Sequence, residues 1–287
     1  MLLRQLRPAS TNPLFESSLQ RKTIMSATEH ARTACDQNEI WGVLGGMGPL
    51  ASAEFLSTIY EETAGRPEQQ CPIVYLISDP TIPDRTKCLL DGTEHLLLEH
   101  LTSGMNKLES MGATRIVVCC VTIHPLISCL AARLQEKTIS LVDLIFDSVL
   151  RSGKKYLLFC TEGTRRMGIF QSHPAWKEAA SRIVLPEDAD QAAIHSMIYE
   201  AKMNQRSVRH PQLVEDLMQK YGVNSFIAGC TEMHMIARQK ARASGRHQRE
   251  FCIDPLLRVV SIMSQQLGTA GVMATSVAAA VPLQAFR

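Results

Sequence analysis

Two short segments hold a cysteine followed four residues later by a histidine: Cys120-Val121-Thr122-Ile123-His124 and Cys230-Thr231-Glu232-Met233-His234. Each follows an apolar run, Ile116-Val117-Val118-Cys119 and Phe226-Ile227-Ala228-Gly229, that reads as a strand. A cysteine at a strand's end, just before a helix, meets backbone N–H groups and the positive end of a helix dipole, and both favour thiolate over thiol. One such thiolate is a nucleophile. Two facing each other suit a different task, in which one removes a proton from carbon and the other returns a proton on the opposite face. Strand-end amides would hold a substrate carboxylate and stabilise the charge growing beside it. His124 and His234 either tune the thiols or cap the helices that follow, since neutral histidine serves both roles. Glu232 either accepts hydrogen bonds from backbone or orients its neighbouring histidine.

The elements that would carry these residues alternate. Ile40–Leu44, Ile73–Ile77 and Arg115–Cys120 read as strands, and Ala51–Tyr60, Thr93–Met111 and His124–Gln135 as helices. The second half repeats the plan, with strands at Lys155–Phe159 and Ser225–Ala228 and helices at Pro174–Arg182, Asp188–Lys202 and Gln212–Tyr221. Alternation of this kind predicts a sheet covered by helices on both faces, with ligands at the carboxyl ends of the strands. The fold class expected is therefore α/β, with two similar domains, each a mostly parallel sheet flanked by helices, and the active site in the cleft between them. The boundaries expected are residues 39–141 plus 253–270 for the first domain and 142–252 for the second.

The chain has 287 residues, 45% hydrophobic and 20% charged, which is ordinary for a globular protein and argues against disorder. Thirty basic against twenty-eight acidic residues leave a net charge of +2, so nucleic acid and anionic membranes are not indicated as partners. The one basic cluster, Arg238, Lys240, Arg242, Arg246 and Arg249, reads as a solvated loop. Nine cysteines at irregular spacing point to free thiols in a reducing compartment and not to a disulfide framework or a zinc site. Cys71, Cys88, Cys129, Cys160 and Cys252 read as small apolar fillers, and Cys119 as core, pointing away from Cys120. Gly45-Gly46-Met47-Gly48 follows a strand but lacks the spacing of a nucleotide-phosphate loop. Residues 1–38 read as a disordered leader, with a transit peptide or an extension before an internal start at Met25 as the other readings; a cytoplasmic location is expected, with organellar import as the alternative. The uncharged stretch Leu267–Phe286 is too rich in glycine and alanine for a membrane span, and 271–287 reads as a tail.

Five motifs in order make the sequence resemble the cofactor-independent aspartate/glutamate racemase family over about Ile40–Met263: Gly45-Gly46-Met47-Gly48-Pro49, Pro83-Asp84-Arg85-Thr86, Cys120-Val121-Thr122-Ile123-His124, Thr161-Glu162-Gly163-Thr164 and Gly229-Cys230-Thr231-Glu232. The resemblance implies a two-domain enzyme, an isomerase, with Cys120 and Cys230 as its acid/base pair acting on a small carboxylic or amino acid. It further implies Arg85 on the substrate's side-chain carboxylate, Arg166 as a second positive contact, Met47 and Gly48 as the floor, Thr122 and Thr231 around the α-carboxylate, and Val121 among the substrate-binding residues. Asp84 would fix the loop and Arg85. The resemblance implies no pyridoxal phosphate, metal or nucleotide, and a homodimer. Three positions depart from the family pattern: Val121 for an asparagine, Phe170 for a tyrosine and His234 for a proline.

The function expected is racemisation or epimerisation of an acidic or related amino acid by a two-cysteine proton transfer. Two alternatives keep the same cleft. In one, Cys120 adds to an unsaturated acid and permits cis-trans isomerisation. In the other, suggested by Val121 and Phe170, the enzyme performs a proton-transfer or cyclisation step of specialised biosynthesis. A non-catalytic binding protein is a third possibility, against which intact Cys120, Cys230 and Arg85 argue.

Overall fold

The computed structural model describes residues 39–204 and 209–278, with side chains as far as Gln266. The leader expected over residues 1–38 and the last part of the expected tail, 279–287, lie outside the described residues.

Among the described residues, eight strands form two four-stranded sheets. The first contains β1 (Ile40–Gly45), β2 (Ile73–Ser78), β3 (Arg115–Val118) and β4 (Thr138–Ile139), and the second β5 (Tyr156–Phe159), β6 (Ile183–Val184), β7 (Phe226–Ala228) and β8 (Cys252–Ile253). Their spatial orders are β2-β1-β3-β4 and β6-β5-β7-β8, so the second sheet repeats the first strand for strand. Every pairing is parallel, with Leu44 opposite Val118 in one sheet and Phe159 opposite Ala228 in the other. A parallel sheet is covered on both faces, which is why β3, β5 and β7 are continuous apolar runs whose residues are nearly all buried.

Helices α1 (Pro49–Glu61), α2 (Arg85–Asp91), α3 (Glu94–Ser110) and α4 (Ala132–Lys137) accompany the first sheet. They are followed by α5 (Leu141–Arg151), α6 (Glu162–Arg166), α7 (Trp176–Ala179), α8 (Asp188–Lys202), α9 (Arg209–Lys220), α10 (Glu232–Ser244) and α11 (Pro255–Ala278). Alternation across the strands divides the core: Cys119 and Val121 pack in one apolar cluster with Phe146, Ile169 and Phe170, while Cys120 belongs to another with Leu44, Met47 and Leu97. Among the described residues, no helix is long and apolar enough to cross a membrane.

The structure corrects several expectations. The helix expected over His124–Gln135 is a 3-10 segment, His124–Cys129, followed by α4. Ser128 Oγ donates back to the Pro125 carbonyl at 2.8 Å, and Leu130 is extended, which ends the first turn and restarts the chain. The basic cluster expected as a solvated loop instead puts Arg238, Lys240 and Arg242 on α10, with Arg238 and Lys240 only 9% and 8% exposed. Arg238 Nε donates to Glu54 Oε1 at 2.7 Å, its Nη2 pairs with Glu61, and Lys240 pairs with Glu215; these partners on α1 and α9 are what allow the charges to leave water. Cys129 is exposed and Cys71 half-buried, whereas Cys88, Cys160 and Cys252 do sit in the core.

Candidate active site

In an open parallel sheet the chain reverses its direction of travel across the sheet at one point, and the strand ends there splay apart. In the first sheet this point lies between β1 and β3, and in the second between β5 and β7. Met47 and Gly48 follow β1, Cys120 and Thr122 follow β3, Thr161 and Thr164 follow β5, and Cys230 and Thr231 follow β7. Both switch points therefore carry a thiol, two residues beyond the third strand of their sheet.

Hydrogen bonds join the two sets of strand ends. Thr122 Oγ1 lies 3.2 Å from Thr161 Oγ1 and 2.9 Å from Thr164 Oγ1, forming a buried triangle of hydroxyls. Thr231 Oγ1 donates to the Cys119 carbonyl at 3.3 Å. Gly46 turns with φ +92°, and a Cβ there would strike the Asp79 backbone; at Gly48 a Cβ would overlap Glu232 Oε1, so this glycine leaves room for the carboxylate of the opposite sheet.

Cys120 is 4% exposed. The adjoining backbone is held by His124: its Nε2 accepts from the Leu141 N–H at 3.0 Å, so the proton sits on Nδ1, which donates to the Cys120 carbonyl at 2.7 Å. Burial pushes the His124 pKa down to about 4, so the ring is neutral and structural. Arg85 opens α2, whose N-cap is Asp84. Its guanidinium donates to the carbonyls of Ile82, Pro83 and Met47 at 3.1, 2.9 and 2.8 Å, while its Nε has no partner. Burial opposes the guanidinium's charge, but Cys120, Asp84, Glu232 and Cys230, in that order, outweigh it and hold its pKa up. One cation thus senses both thiols.

Cys230 is equally buried, and its Sγ–H donates to Glu232 Oε2 at 2.7 Å. Burial first, and then the Glu232 charge and hydrogen bond, push the Cys230 pKa well above that of a free thiol, against the opposing pull of Lys202. This reverses the expectation that the strand-end position would lower it: a dry site and a neighbouring carboxylate outweigh the helix dipole. Glu232 therefore holds the thiol proton and does not orient His234.

His234 faces away from the sulfur. Its Nδ1 lies 2.6 Å from Asp254 Oδ2 and its Nε2 2.9 Å from Thr58 Oγ1. The Thr58 hydroxyl also donates to the Glu54 carbonyl at 2.7 Å, so the ring links α1 to the buried Asp254 carboxylate. Burial resists ionisation of Asp254, but the His234 charge and the Leu256 and Leu257 amides outweigh it and lower its pKa.

Arg166 lies on the surface, 60% exposed, with Glu162 3.8 Å away. A second cation whose charge acts on Cys230 and Glu232, beside Arg85, is Lys202, at the end of α8, where it sits 4.4 Å from the Tyr199 ring centroid. Tyr199 in turn donates to Asp84 Oδ2 at 2.7 Å, tying α8 to the loop that carries Arg85. The sequence reading ended a helix on Lys202 without giving it a role; its spacing from Tyr199 and His195 on one helical face was the available signal. Val121 and Phe170 are fully buried in one apolar cluster, Phe170 5.9 Å from Phe146. Among the described residues, no group of three or more His, Cys, Asp and Glu side chains is arranged to hold a metal ion.

Residues 44–260 match the family model described as Asp/Glu/Hydantoin racemase. The chain is similar in fold to an aspartate racemase from Picrophilus torridus, with a TM-score of 0.68 and 24% sequence identity over 80% of this chain and 95% of that one. It is also similar to an aspartate racemase homologue from Pyrococcus horikoshii OT3, with a TM-score of 0.54 and 18% identity over 82% of this chain and the whole of that one.

Proposed function

Because the chain belongs to the Asp/Glu/Hydantoin racemase family, a family of isomerases, we propose that it racemises or epimerises an acidic or related amino acid by proton transfer between Cys120 and Cys230. The observation that carries this reading is the equivalence of the two thiols: each stands two residues beyond the third strand of a sheet of the same order, and the charge of each acts on Arg85.

In the direction that uses Cys120 as base, its thiolate, whose charge acts on Arg85, takes the α-proton. The C–H bond breaks and an S–H bond forms. The carbanion's charge passes to the α-carboxylate, and Cys230, whose proton Glu232 holds, delivers that proton to the opposite face. The S–H bond of Cys230 breaks as the new C–H bond forms. The opposite enantiomer uses the two thiols in exchanged roles. Arg85 and Lys202 supply the positive charge that a substrate with two carboxylates requires, Arg85 through its free Nε. Met47 and Gly48 form the floor, and Thr122 and Thr231 surround the α-carboxylate. Arg166, being largely exposed, is assigned no contact in this reading. The site acts in a homodimer in the cytoplasm.

Proton NMR in deuterium oxide tests this, with both enantiomers of aspartate, which names the structural relatives, and of glutamate. Loss of the α-proton signal from both enantiomers, absent in Cys120→Ser and Cys230→Ser, is the expected result. No exchange from any acidic amino acid overturns the proposal, and a thioether at Cys120 after exposure to an unsaturated diacid would point to cis-trans isomerisation instead.

A further inference from the structure

Two buried polar atoms of this site have no hydrogen-bond partner among the described residues, and they are of opposite kind: Arg85 Nε, a donor, and Glu232 Oε1, an acceptor. Glu232 is 0% exposed, so bulk water does not reach its carboxylate. Its other oxygen, Oε2, is already engaged by the Cys230 thiol at 2.7 Å. Oε1 lies so close to the Gly48 backbone that a Cβ there would overlap it, which puts the unpaired oxygen beside the loop that follows β1. A buried carboxylate oxygen without a donor is costly, and a fold retains one where a ligand completes it.

The two unpaired atoms describe the ligand that completes them. Arg85 Nε calls for an anion, and Glu232 Oε1 for a hydrogen-bond donor, best a cationic one. A zwitterionic α-amino acid offers both. A dicarboxylic acid without nitrogen meets Arg85 but leaves Glu232 with nothing. The charge of Glu232 acts on Arg85, Lys202, Cys119 and Cys230, so it stands among the reacting groups and not at the rim. Resting on the reading of an acidic amino acid as substrate, we infer that Glu232 Oε1 receives the substrate's ammonium group and is the contact by which the site selects an amino acid over its desamino counterpart.

Isothermal calorimetry on the full chain, in a Cys120→Ser background that blocks turnover, tests this with L-aspartate, L-malate and succinate, and with L-glutamate and glutarate. Expected is the order aspartate, malate, succinate, following a cationic donor, a neutral donor and none, with at least about tenfold between first and last, the scale of one charge-assisted hydrogen bond. Glu232→Gln abolishes most of that preference while leaving succinate binding unchanged or tighter. Glu232→Asp, which keeps the charge but withdraws Oε1 by one methylene, lowers the preference less. Equal affinity for aspartate and succinate, or equal weakening of both by Glu232→Gln, overturns the inference while leaving the racemase reading intact if the wild type exchanges the α-proton. Binding of neither pair overturns both.

Discussion

The Cys230 thiol donates its proton to Glu232 Oε2 across 2.7 Å, in a place from which solvent is excluded. A thiol held this way is an acid in waiting, and it becomes a base only when its proton has somewhere to go. Cys120 has no such carboxylate partner and instead shares Arg85 with the whole site.

Removing the carboxylate releases the thiol. In Glu232→Gln, the ultraviolet titration of Cys230, read as the difference from a Cys230→Ser control, moves to lower pH, because the neighbouring charge and the hydrogen bond that stabilise the protonated form are gone. An unchanged midpoint would mean that burial alone sets it.

Lys202→Ala is expected to raise KM for an acidic substrate by about ten- to a hundredfold, the value of one charge-assisted hydrogen bond. The same change moves the Cys230 titration upward, because the Lys202 charge lowers it in the wild type. Steady-state kinetics and the thiol titration check the two effects separately. A fall in kcat with KM unchanged would assign Lys202 to the reacting centre instead.

His124→Leu removes the donor to the Cys120 carbonyl and the acceptor for the Leu141 amide, two buried hydrogen bonds whose loss costs about 2–4 kcal/mol in denaturant unfolding. Its pKa is about 4 in the folded chain against 6.5 for a free histidine, so between these values the unfolded state binds more protons. The wild type therefore loses stability as pH falls through this window and levels off below it. His124→Leu flattens that slope, and parallel slopes for the two proteins would contradict a neutral, buried ring.

His234→Leu strands a buried carboxylate. Asp254 keeps its bonds from Leu256 N, Leu257 N and Gln248 Nε2 but loses its His234 partner, at a cost of about 3–5 kcal/mol. The depressed Asp254 pKa contributes stability that is present at neutral pH and is lost as pH falls through it. The variant has the smaller acid sensitivity, measured as the unfolding free energy against pH, and pairing it with Asp254→Asn recovers part of the loss.

The longer strands were legible because a parallel sheet writes continuous apolar runs, even in the half-buried edge strand β2; β1, β2, β5 and β7 were read to within a residue or two, and β3 two residues too long. Strands β4, β6 and β8 are two residues each and carry no periodicity to read. The basic part of helix α10 was hidden by its charge, since Arg238 and Lys240 are buried by ion pairs that exist only in the folded chain. The duplicated cysteine motif brought both thiols to light, and Glu232 with them. The direction of the Cys230 shift was not readable, because it depends on how dry the site is and on where a carboxylate two residues away turns. Lys202 was lost for a similar reason: a lysine ending a helix is ordinarily solvated, and only the fold brings it toward Cys230.

The repeated strand order gives the thiols matching scaffolds, while Glu232 and Lys202 on one side and Arg85 on the other give them unlike surroundings. Mirror-image molecules have the same free energy, so an enzyme that interconverts them obeys a Haldane constraint: kcat/KM must be equal in the two directions. In the proposed two-thiol exchange, the imbalance between the thiols therefore has no outlet in catalytic efficiency. It is confined to compensating differences, in which the enantiomer that waits for Cys230 to give up its proton turns over more slowly and half-saturates the enzyme at a proportionally lower concentration.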